Sequence, residues 1–441
     1  MKKVLASVAI ASMLATGGCG IFKGKGKRTT PTVGNRVPIL VSENGAEVDK
    51  GMADVPVTIP APELNEGWTQ PGGNAAKLMG HLALQNESPQ RIWHASIDAG
   101  SNRQRLGAAP VVGDYKLFVV DVEARVHAFD ARNGKPLWST EIAKTDENRA
   151  ARFGGGVSFD NGRLYATDGL GDVVALNAND GTEIWRSKPG GPLRGAPSVA
   201  NGQVYVLSQD NQLFALSDAD GKVQWTQSGS LETQGVFGVA APAVSQGTIV
   251  AGFSSGELNA YRYENGRTLW QDALSRTSIS TSVSSLADID ADPVMADGRV
   301  YAVGQGGRMV AVEISTGQRL WEQNLAGIST PWIAGEWLYV LTDDARLVCL
   351  ARATGKVRWI AQLRGFRNVK KRSGAITWFG PVLAGNRLWL TNSNGELATV
   401  SPIDGSLGEP MDAGDSFTLP PVVSYGAIYL LDQKGQLSAY R

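Results

Sequence analysis

Along most of this chain, apolar and polar residues alternate in short bursts, and glycine separates the bursts. Residues 297–321 show the unit: Arg299-Val300-Tyr301-Ala302-Val303, then Met309-Val310-Ala311-Val312, then Arg319-Leu320-Trp321. Each run has the β-branched, aromatic make-up of a half-buried sheet. Asp297-Gly298, Gly306-Gly307 and Thr316-Gly317 stand before them, the residues that tight hairpin turns use. Three short strands are predicted here, marked by a glycine with a tryptophan four residues later, Gly317 and Trp321.

The marker recurs along the chain. Gly134 precedes Trp138, Gly181 precedes Trp185, Gly221 precedes Trp225, Gly266 precedes Trp270 and Gly355 precedes Trp359. Two apolar runs lie upstream of each pair, as in Val204-Tyr205-Val206-Leu207 and Leu213-Phe214-Ala215-Leu216. An all-strand unit of about 40–50 residues predicts a β-propeller blade. A seventh unit keeps Asp404-Gly405 but has Glu409 in place of tryptophan, and an eighth stops at Arg441 before its last strand. Arg91-Ile92-Trp93 is a tryptophan strand with no unit before it. Joining it to the last unit closes the ring and removes an open sheet edge. The expected fold is therefore all-β: eight four-stranded antiparallel blades, with the strand at Trp93 completing the C-terminal blade. In each marker the glycine suits a positive-φ turn, and the tryptophan offers a flat apolar face and one N–H donor. Trp93, Trp138, Trp185, Trp225, Trp270, Trp321 and Trp359 are read as blade-docking residues with no catalytic role.

Composition agrees: 53 glycines and 42% hydrophobic residues in 441 suit a glycine-rich β protein. Formal net charge is zero, which argues against nucleic-acid binding. Residues 1–18 stand apart from the fold. Lys2-Lys3, an apolar run over 4–14 and small residues before Cys19 make a secretory signal, too short to span a bilayer. The segment resembles a bacterial lipoprotein signal, although Thr16 stands where leucine is usual. That resemblance implies cleavage before Cys19, lipidation of its thiol, and passage to the outer membrane given Gly20. Residues 19–62 are expected to form a tether, basic at its start and then rich in proline and polar residues. Residues 63–90 are expected to be an ordered arm, with the propeller occupying 63–441. Cys349, in an apolar strand, is read as a small core residue.

Candidate chemistry is sparse. His81, His94 and His127 show no metal-ligand spacing, and the glycine runs lack the lysine and helix of a phosphate loop. Asp288 and Asp290 form a paired-carboxylate motif before the fifth unit. Such a pair suits calcium, acid–base work, a basic partner, or simply a solvated loop. Residues 364–372 carry five cations around Phe366 and Val369, suiting an anionic lipid, lipopolysaccharide or acidic partner, or again a solvated loop.

The Thr-Gly-x-x-x-Trp unit resembles the tryptophan-docking repeat of quinoprotein propellers, which hold pyrroloquinoline quinone with adjacent cysteines and calcium. No adjacent cysteines occur here. Signal, tether and ring together resemble the BamB family of lipoproteins in the outer-membrane β-barrel assembly (BAM) machinery, over nearly all the chain beyond the tether. The resemblance implies a non-enzymatic, cofactor-free scaffold that is lipid-anchored at the outer membrane and faces the periplasm. It also implies a monomeric propeller that binds the periplasmic POTRA domains of the barrel protein BamA, beside other BAM members. Asp288 and Asp290 match the family's Asp-x-Asp contact. Val236 and Phe237 fall at its second contact, with Phe237 where arginine is expected. The alternatives are a periplasmic quinoprotein-type dehydrogenase, or a glycan-binding propeller using Trp332, Trp337 and Trp378.

Overall fold

The computed structural model describes residues 45–441, except 102, 145–147, 194, 232–239 and 275–287. The expectations for Cys19, Val236 and Phe237 lie outside the described residues.

Eight four-stranded antiparallel sheets follow one another along the chain. Blade 1 begins at Val111–Gly113, blade 2 at Val157–Asp160, blade 3 at Ser198–Ala200 and blade 4 at Ala243–Ser245. Blades 5 to 8 begin at Val294–Ala296, Trp332–Ala334, Trp378–Ala384 and Val422–Ser424. In blades 1 to 7 the strands pair in sequence order. In blade 8 the fourth strand is Arg91–Ser96, antiparallel to Gln436–Tyr440, with Trp93 opposite Ala439. The ring is closed by its two ends, as the unpartnered tryptophan strand predicts.

First strands are buried and touch those of neighbouring blades, whereas most fourth strands face water, as in Pro136–Glu141. The sheets pack face to face through interdigitating aliphatic and aromatic side chains, and Leu117, Leu164, Val204 and Leu338 are wholly buried. A row crosses six of the eight blades in register: an aromatic on the second strand, a small residue on the third, and tryptophan on the fourth. Blade 4 has Val250 in the aromatic place, and blade 7 lacks the tryptophan. Tyr205, Ala215 and Trp225 form one such row, and Tyr301, Ala311 and Trp321 another.

The arm over 63–90 follows a course that no local pattern announces. It crosses the axial end of every blade in ring order. Trp68 exchanges backbone hydrogen bonds with Val112 of blade 1 at 2.7 and 2.8 Å. Phe159 of blade 2 donates to the Thr69 carbonyl, and the Gln70 amide pairs with the Val199 backbone of blade 3. Val244 and Met295 of blades 4 and 5 donate to Ala75 and Ala76. Trp332 of blade 6 donates from Nε1 to Gly80, Leu82 bonds blade 7 at Leu383, and Gln85 bonds blade 8 at Gly426. Polar backbone at the axis, which would otherwise need water, is satisfied by the arm.

Residues 45–62 depart from the tether expected for them. Asp49 exchanges hydrogen bonds with Val357, Arg358 donates to the Val55 carbonyl, and Val57 is buried in the core. The polar composition of this stretch hides a few apolar anchors, Ala46 and Val57 among them, that fit against the ring.

Candidate partner-binding site

The tryptophans dock between blades. Each indole N–H donates to a backbone carbonyl of the following blade: Trp93 to Ala131, Trp138 to Ala178, Trp185 to Asp218 and Trp225 to Tyr263. Trp270, Trp321 and Trp359 bond Ile314, Arg352 and Pro402 in the same way. The glycine of each marker serves the tryptophan of the preceding blade as well as its own turn. A Cβ on Gly221 would lie 2.5 Å from the ring of Trp185, and one on Gly134 would lie 2.5 Å from that of Trp93. These residues are structural joints, leaving partner contacts to the connections between blades.

Two such connections carry the expected contact residues. One enters blade 4 and contains positions 236 and 237; the other enters blade 5 and contains Asp288 and Asp290. Their described parts meet: the backbone N–H of Ala241 donates to the Asp292 carboxylate at 2.7 Å. Asp292 in turn receives a backbone anchor through its own N–H, which donates to Thr330 Oγ1 at 3.2 Å. The connections into blades 4, 5 and 6 are thus linked side by side.

Within this assembly the acidic pair folds inward. Ile289 is buried against Gly252 so tightly that a Cβ there would lie 2.4 Å from its Cγ2. That anchor places Asp288 in the interior at 3% exposure, while Asp290 lines a cavity on the ring axis and accepts from Gln305 Nε2 at 3.3 Å. Burial first, and then the charge and hydrogen bond of Asp288, hold Asp290 well above the usual carboxylate range. Burial likewise raises Asp343 to about 6. Asp288 is thus an interior residue and Asp290 part of the cavity wall, neither on a protruding loop.

The cavity encloses about 510 Å³, with arm residues Trp68, Gln70 and Lys77 among its walls. Lys77 Nζ donates to Ser198 Oγ at 3.0 Å, and burial lowers its pKa to about 8 against the raising influence of Asp292. Sequence reasoning missed Lys77 and Asp292. Neither belongs to a motif, and only the arm's course brings 77 and 292 together. Among the described residues, no three His, Cys, Asp or Glu side chains are grouped to hold a metal ion. His81 instead ties the arm to blade 7: Nδ1 donates to the Pro60 carbonyl and Nε2 accepts from the Asn386 N–H. His127 pairs with Asp121 at 2.6 Å. Cys349, the one cysteine besides Cys19, is buried in blade 6 and does not line the cavity. The donor set here does not fit a quinone held by paired cysteines.

Glycan binding through Trp332, Trp337 and Trp378 is overturned by burial, since each is at most 7% exposed. Trp332 stacks on Trp68 with centroids 6.0 Å apart, and Trp378 donates to the Arg364 carbonyl. Their faces are taken up by neighbouring side chains, which leaves no exposed aromatic platform for a sugar.

Fold and docking repeat together define an eight-bladed propeller of the quinoprotein type. Among solved structures, BamB from Moraxella catarrhalis superposes with a TM-score of 0.68 at 16% identity, covering 80% of this chain and all of that one. A quinohemoprotein alcohol dehydrogenase from Comamonas testosteroni gives 0.66 at 14% identity, covering 85% of this chain and 80% of that one. Both show the shared fold. Sequence goes further. The family described as outer membrane protein assembly factor BamB matches residues 79–150 and 141–361, and the chain belongs to that family. The assembly factor BamB of Yersinia pestis is 27% identical over 358 residues, spanning 80% of this chain and 89% of its own. That of Escherichia coli K12 is 28% identical over 352 residues, spanning 79% and 88%.

Proposed function

We propose that the protein is a non-enzymatic scaffold, lipid-anchored through Cys19 at the periplasmic face of the outer membrane. In this reading it binds the POTRA region of a BamA-type barrel protein within the assembly machinery. The rim formed by the connections into blades 4 and 5 makes the contact. The observation that carries this is the direct bond between those connections, Ala241 N–H to Asp292. It supports treating the two connections as one rim, with Asp290 reached through the axial cavity, although some fifty residues of chain separate Ala241 from Asp292. A rigid ring presents such a surface with little ordering cost. The raised Asp290 adds a chemical expectation. A partner cation brought to the pair favours the charged carboxylate, so binding releases a proton and tightens as pH rises through neutrality.

The test is a pull-down of the barrel protein from gently solubilised envelopes. Wild type is compared with a Val236→Asp/Phe237→Asp double variant and with Asp290→Asn, each checked for folding by circular dichroism. Recovery by wild type and loss by the double variant support the rim. Equal recovery by all three removes the rim and leaves the scaffold role; no recovery by folded wild type removes the scaffold role itself.

A further inference from the structure

Residues 364–372, read from the sequence as a basic connection, form the body of a separate β-hairpin between blades 6 and 7. Phe366–Asn368 pairs with Ser373–Ala375, Phe366 opposite Ala375 and Asn368 opposite Ser373. Its base is fixed to the ring. Leu363 and Ile376 are buried, Ile376 N–H donates to the Gly365 carbonyl, and Trp378 Nε1 donates to the Arg364 carbonyl at 3.0 Å. The tip is held in shape, since Lys371 N–H donates to Asn368 Oδ1 and Arg372 lies over the Phe366 ring at 6.0 Å.

Arg364 is already engaged, bonded to Glu396 at 2.6 Å. Beyond it, Arg367, Lys370, Lys371 and Arg372 are exposed, and among the described residues none is in an ion pair. Four cations within six residues, on a chain of zero formal net charge, make a concentrated positive surface. At the tip between them Val369 is 67% exposed. An aliphatic tip ringed by lysine and arginine suits the boundary of a bilayer: the apolar group enters the headgroup layer while the long basic side chains reach its phosphates.

The entry of the chain points the same way. Arg346 donates to the Ala46 carbonyl at 3.4 Å, and Arg346 is in register with Gln362, the last residue of the strand that leads into the hairpin. The described chain therefore begins at the hairpin's end of blade 6. From there to Cys19, the twenty-six residues 19–44 span at most roughly 90 Å.

We propose that this hairpin is a membrane-contact element that takes the phosphate headgroups of anionic phospholipid. It rests on the proposed anchor only for delivery to a bilayer. The test uses the full lipoprotein carrying Val369→Cys labelled with an environment-sensitive fluorophore, buried Cys349 being shielded from the label. The labelled protein is mixed with vesicles of phosphatidylcholine alone or with added phosphatidylglycerol. Expected are a blue shift on the anionic vesicles alone, its reversal at 1 M salt, where the Debye length is about 3 Å, and its loss in Lys370→Glu/Lys371→Glu/Arg372→Glu.

Equal emission on both vesicles, or an unchanged shift in the reversed variant, overturns the proposal. A shift produced by inorganic phosphate without vesicles overturns it in favour of a free-anion site. A shift seen only with the purified barrel protein overturns it in favour of a protein contact. Flotation with neutral vesicles reports the anchor separately. If flotation fails, the emission in anionic suspension still decides the hairpin.

Discussion

At the scale of the residue, the repeated glycine and tryptophan work across two blades. Gly221 has φ +71° and stands against Trp185 of the preceding blade. Gly221→Ala therefore strains the turn and overlaps the indole, and is expected to cost roughly 2–4 kcal/mol in urea unfolding. Trp185→Ala removes both the packing and the bond to Asp218, with an expected cost of about 3–5 kcal/mol. Cys349 occupies the small position between Tyr339 and Trp359, where other rows carry Ala215 or Ala311. Cys349→Ala is thus expected to shift stability by less than about 1 kcal/mol, in contrast to most buried substitutions. Asp290 gives a pH dependence. The folded protein keeps a proton there that the unfolded chain releases above about pH 4. Its stabilising contribution is therefore full at low pH and is lost as pH rises toward the raised value. Thermal unfolding of Asp290→Asn against wild type should show the variant gaining relative stability from acid toward neutral pH.

At the scale of the element, the two irregular units have one cause. Each tryptophan docks on the turn between the third and fourth strands of the next blade. Blade 8 has no such turn, because its third strand ends at Tyr440 and its fourth comes from the other end of the chain. A tryptophan in blade 7 would have no joint to fill, and Glu409 stands in its place. Glu409→Trp is accordingly expected to leave the denaturation midpoint unchanged or to lower it. The arm obeys a different logic. Its bonds to all eight blades come from backbone and scattered side chains, which carry no periodicity for a sequence reading to detect. The pattern around 68–85 announces an ordered segment and nothing about its path.

At the scale of the whole molecule, the strand Arg91–Ser96 turns a row of sheets into a ring. Trp93 and Tyr429 both donate to the Ala131 carbonyl, at 3.1 Å each, so the closing joint is bonded twice. Trp93→Ala should lower the melting temperature at least as much as Trp185→Ala, because only hydrogen bonds and packing join the strand Arg91–Ser96 to Gln436–Tyr440 within blade 8. The described ends of the connections into blades 4, 5 and 6, bonded through Ala241, Asp292 and Thr330, rest on the blades that this closure holds together.

The sequence by itself determined the strands, the blade count, the closing strand and the family, because alternation and turn chemistry act within a few residues and each blade repeats them. It also singled out Asp288 and Asp290 as a motif and 364–372 as a basic run. Only the tertiary structure decided which way these face. Ile289 draws the acidic pair inward by packing on Gly252, a contact across two blades, and Leu363 and Ile376 pin the basic run as a projecting hairpin. Burial is set by what packs above a residue, and those neighbours, like Lys77 beside Asp292, lie far away in the chain.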